Sequence, residues 1–81
     1  MRKPAARRAE FDQELVNLQN DLLMLGSMVE KAILRSIDAL RLRDLAASDQ
    51  IVKDDNLIDA KRFDIEERCI DLIARQQPLA G

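Results

Sequence analysis

The stretch FDQELVNLQNDLLMLGSMVEKA, residues 11 to 32, decides the fold. Its apolar positions run Phe11, Leu15, Leu18, Leu22, Leu25, Val29 and Ala32, alternating steps of four and three. That is the seam of a packed helix, not the alternation of a strand. The pattern predicts a first helix over residues 9 to 42, about 50 Å long at 1.5 Å per residue. Beyond Ala32 the seam carries Ser36 and Ala39, while Ile33, Ile37 and Leu40 sit beside it. The stripe therefore widens, and the helix is expected to meet more than one neighbour. Gly26 interrupts it at a cost of about 1 kcal/mol relative to Ala. Either a close helix approach explains that residue or the helix simply tolerates it.

The segment RLRDLAAS, residues 41 to 48, holds the expected break. Arg41 and Arg43 suit the negative end of a helix dipole, and Asp44 can accept from the free N–H groups of the next helix. Ala47 stands where a capping box would place Glu or Gln. A second helix is predicted from residue 45 to 76, ended by Pro78. Two long helices joined by a short loop give an all-α antiparallel hairpin.

Composition agrees. Apolar residues make up 47% of the 81 and charged ones 35%, with two Gly, two Pro and no Trp, Tyr or His. Such a balance favours long helices over strands. A chain this short buries only about 60% of its unfolded surface, and both apolar stripes cannot be hidden inside one hairpin. A homodimer is expected, most simply two hairpins in an antiparallel four-helix bundle.

The net charge of −2 hides an asymmetry. Arg2, Lys3, Arg7 and Arg8 crowd the start, and residues 1 to 8 read as a basic disordered tail; residues 44 to 67 carry eight acids against three bases. The tail lacks the stacking aromatics of a nucleic-acid arm, so no nucleic-acid partner is expected. The longest apolar run near the start, LLML at 22 to 25, is far too short to span a bilayer, which leaves peripheral membrane association at most. Cys69 is the only cysteine, so no internal disulfide forms, and the absence of His removes the usual zinc patterns. A reducing, cytoplasmic setting fits. Without a His base or a Gly-rich phosphate loop, an enzyme is not expected.

Within the second helix, IVKDDNLIDAKRFDIEE at 51 to 67 places acids where apolar residues belong. On a wheel at about 100° per residue, Asp55, Asp59, Arg62 and Glu66 fall between an edge of Ile58, Ile65 and Leu72 and an edge of Val52, Phe63 and Ile70. A charge facing a core must be paired or metal-bound. Two readings stay open. Arg62 can bridge Asp59 and Glu66 as an ion network that sets register. Alternatively Asp55 and Asp59, one turn apart, with Glu66 further along, offer oxygen ligands to magnesium, calcium, manganese or iron.

FDQEL, LGSMVEKAI, DDNLID and ARQQPLA together resemble the first two helices of the PhoU family, accessory regulators of bacterial phosphate-specific transport, from Phe11 to Ala80. The resemblance implies three-helix repeats, of which this chain would hold a part. It also implies that Asp55 and Asp59 match a carboxylate motif that holds transition-metal clusters, iron or a similar ion, in several members. The implied function is a cytoplasmic, non-enzymatic regulator that damps phosphate uptake and signalling. Its implied partners are a sensor histidine kinase and the ATP-binding subunit of the phosphate transporter. The alternative is a purely structural helical-hairpin oligomerisation module.

Overall fold

A computed structural model describes residues 4–76. Helix α1 runs Pro4–Leu42, a short 3-10 turn spans Leu45–Ala47, and helix α2 runs Ser48–Gln76. The all-α antiparallel hairpin is as expected, 61 Å long and 21 by 14 Å across.

Helix α1 starts five residues earlier than residue 9, so residues 4 to 8 of the expected tail are helical. Residues 1 to 3 of that tail, and Pro78, lie outside the described residues.

The break falls at Arg43. The Arg43 N–H donates to the Leu40 carbonyl at 3.2 Å and the Asp44 N–H to the Ala39 carbonyl at 2.9 Å. This pair of bonds is a Schellman ending, and it requires a left-handed residue at Arg43, whose φ is 53°. Glycine usually fills that place. As expected, Asp44 acts as a cap, its Oδ1 accepting from the Ala46 N–H at 3.1 Å. The chain takes one 3-10 turn before α2, which therefore begins at Ser48 and not at residue 45.

The core is thin. Leu18, Ile65 and Leu72 are buried at 9%, 8% and 4% exposure, with Phe11, Leu25 and Cys69 packed against them. All lie in the half away from the turn. No strand and no helix long and apolar enough to cross a membrane occurs among the described residues. A Cβ built on Gly26 meets nothing within 4 Å. The close approach considered for that residue is absent within the hairpin.

Candidate functional site

Two different sides flank the seam. Along one side runs a ladder of ion pairs. Arg75 Nη2 donates to Glu14 Oε2 at 2.6 Å, Arg68 Nη1 to Asp21 Oδ2 at 2.6 Å, and Arg35 Nη1 to Asp54 Oδ2 at 2.6 Å. Lys61 Nζ stands 3.3 Å from Asp21 Oδ1. In each of the three arginine pairs the two residue numbers add to 89, which fixes the antiparallel register. The polarity reverses along the ladder: α1 is acidic and α2 basic far from the turn, and the signs exchange near it.

These contacts move the titrations. The Arg68 hydrogen bond, with help from Lys61, holds the Asp21 carboxyl below the usual carboxylate range. Gln50, donating to Asp54 Oδ1 at 2.9 Å, and then Arg35 do the same for Asp54. Arg68 and Arg75 are raised by their bonds to Asp21 and Glu14 respectively. Asp54 is the one buried charge among the described residues, at 9% exposure, and its two donors are what make that burial tolerable.

The opposite side carries two apolar depressions along one stripe, which together form its groove. The far one is lined by Phe11, Leu15, Leu18, Cys69, Leu72 and Ile73. The near one is lined by Val29, Ile33, Ile37, Leu40 and Ile58, and Asp55 joins them. Asp55 and Glu66 are exposed and Asp59 half-buried. The acids lie within the apolar arc of α2 but do not face a core, contrary to the expectation for charges in that arc. Only the Ile51, Ile58, Ile65 and Leu72 edge of that arc is used within the hairpin; the part carrying the acids looks outward.

The expected ion network is present. Arg62 lies 3.1 Å from Glu66 and 3.7 Å from Asp59, and its guanidinium also covers the Phe63 ring at 4.8 Å. Asp55 has no such cation among the described residues. No group of three or more His, Cys, Asp or Glu side chains converges well enough to hold a metal among the described residues. Asp55 and Asp59 therefore form at most part of a ligand set within one hairpin.

A family model described as the PhoU domain matches residues 22–81, most of the chain. The chain belongs to the PhoU family.

Among curated PhoU relatives, a phosphate-specific transport system accessory protein PhoU homolog of Clostridium acetobutylicum is 40% identical over 74 residues, covering 91% of this chain and 34% of that protein. A homolog from Pseudomonas aeruginosa is 32% identical over 72 residues, covering 89% of this chain and 30% of its own length. The PhoU accessory protein of Escherichia coli is 27% identical with the same two coverages. The chain thus spans about a third of the length of the curated relatives it matches. No solved structure matches it.

The ladder of this PhoU-family hairpin escaped the sequence reading. A signal was available, since Asp54, Lys61, Arg68 and Arg75 recur every seven residues, each three places after Ile51, Ile58, Ile65 and Leu72. The seam of α2 is thus half apolar and half charged. A search for apolar periodicity sees only the first half.

Proposed function

We propose that this chain is a helical-hairpin element of a phosphate-transport accessory protein, a non-enzymatic regulator that works through protein contacts and pairs with a second copy of itself. The carrying observation is the groove, open along the hairpin and lined by residues such as Leu15, Val29, Ile33, Ile37 and Ile73. The chain exposes 6962 Å², against about 4,900 Å² for a compact monomer of its mass. An excess near 2,000 Å² per chain is on the scale of an obligate interface. Family membership supports the phosphate-transport role. The sensor histidine kinase and the ATP-binding subunit of the transporter are the proposed partners, in a cytoplasmic setting.

Asp55 and Asp59, with Glu66 two turns beyond Asp59, are proposed to hold a metal ion, iron or a similar transition metal, with magnesium, manganese and calcium as alternatives. All-oxygen ligands suit such hard or borderline cations. The remaining ligands must come from water or from outside the hairpin.

Native mass spectrometry with added Fe²⁺, Mn²⁺, Mg²⁺ or Ca²⁺ tests this, beside the Asp55→Asn/Asp59→Asn variant. A bound ion that the variant loses is the expected result; an ion-free chain, or an ion the variant retains, overturns the metal assignment. Co-purification with the kinase and the ATP-binding subunit tests the adaptor role. The contacts of Arg62 with Asp59 and Glu66 favour a second reading: a structural hairpin module whose acids set register. That reading predicts neither metal nor partner.

A further inference from the structure

Resting on the metal reading above, we propose that Arg62 is the built-in counter-ion of the acid stripe on α2 and competes with a bound cation for Asp59. Asp59 stands between Asp55, one turn before it, and Arg62, three residues after it. A like charge on one side and an opposite charge on the other draw its carboxylate toward Arg62. Turned toward Asp55, the same carboxylate would complete a pair of oxygen ligands. In the structure Arg62 Nη2 lies 3.7 Å from Asp59 Oδ1, and Nη1 lies 3.1 Å from Glu66 Oε1.

Charge and placement support the competition. Asp55, Asp59 and Glu66 against Arg62 are three acids against one base, a local charge of −2, and Asp55 is the acid left without a cation. Lys61, the neighbouring base, is turned across the hairpin to Asp21 at 3.3 Å. Arg62 draws Asp59 and Glu66 toward itself, and no ligand group of three converges among the described residues.

The guanidinium is also free to leave. Its partners Asp59, Glu66 and Phe63 all belong to α2, so its departure breaks none of the contacts between the helices. Exposed pairs at these spacings are weak. The Phe63 ring, 4.8 Å from the guanidinium, offers a second seat through its π face. The stripe thus has two charge arrangements: Arg62 on Asp59 and Glu66, or a divalent cation on Asp55 and Asp59 with Arg62 withdrawn to Phe63. A divalent cation and a guanidinium about one turn apart repel, most strongly at low salt. Arg62 therefore sets the ion affinity below what the carboxylates alone would give.

Equilibrium dialysis of the full chain against Mn²⁺, and against Fe²⁺ without oxygen, tests this with Arg62→Gln and Arg62→Lys beside the native form. Arg62→Gln is expected to lower the ion's dissociation constant about five-fold at low salt. Arg62→Lys keeps the charge and is expected to stay within about two-fold of native. Circular dichroism confirms that the helices persist in each. Uptake by Arg62→Gln alone also supports the competition, since Arg62 then keeps the native stripe closed. An unchanged constant in Arg62→Gln, or an equal gain in both variants, overturns the competition and leaves the metal assignment standing. No uptake by any form overturns both.

Discussion

Arg35 on α1 reaches across nineteen residues of sequence to Asp54, the one buried charge among the described residues, at 2.6 Å. Gln50, one turn before Asp54, completes the acid's hydrogen bonds from its own helix. Asp54→Ala is expected to lower the melting midpoint, because Arg35 and Gln50 lose their shared acceptor, and Asp54→Asn is expected to recover part of the loss. Thermal melts followed by circular dichroism at 222 nm check the order.

Acid should open the ladder. Asp21 and Asp54 are held below the ordinary carboxylate value, so each binds a proton more readily in the unfolded chain. Their stabilisation is complete above the ordinary carboxylate range and is lost as pH falls through it toward the lowered values. The melting midpoint is expected to be flat from pH 7 to about 5 and to fall below that. Asp21→Asn/Asp54→Asn should flatten the decline, which a series of melts at constant ionic strength measures.

Leu72 is the most buried side chain among the described residues, at 4% exposure, and Leu57 is 61% exposed. Leu72→Ala should destabilise the folded chain by about 2–3 kcal/mol, near the low end for a leucine in so thin a core. Leu57→Ala should stay within about 0.5 kcal/mol. Urea titrations of the two variants give both numbers.

Glycine is present where a helix wants a side chain and missing where a turn wants none. Gly26→Ala places a methyl group in open space and should stabilise the hairpin by about 1 kcal/mol. Arg43→Gly removes the left-handed strain at φ 53° and should add a similar amount. Melts of dilute chain isolate both effects from association.

Much of the hairpin is legible in the sequence because its signals are local. The three-four repeat from Phe11 to Ala32, the cap at Asp44 and the wheel of α2 each need only residues within a few turns. The ladder is different. Glu14 and Arg75 are separated by 61 residues, and their match becomes visible only after the two helices are laid against each other in register. At Arg43 the sequence shows only a favourable charge at a helix end; the left-handed backbone there comes from the path the chain must take into Asp44, which no single-residue preference specifies.

The position of the core has one more consequence. Leu18, Ile65 and Leu72 clasp the hairpin in the half away from its turn, so the best-packed contacts are also distant in sequence. The turn then acts as a tether that raises the effective concentration of one helix for the other. Cutting between Arg43 and Leu45 would leave two peptides with their clasp intact, and binding between them would replace folding as the event that brings Leu18 to Leu72.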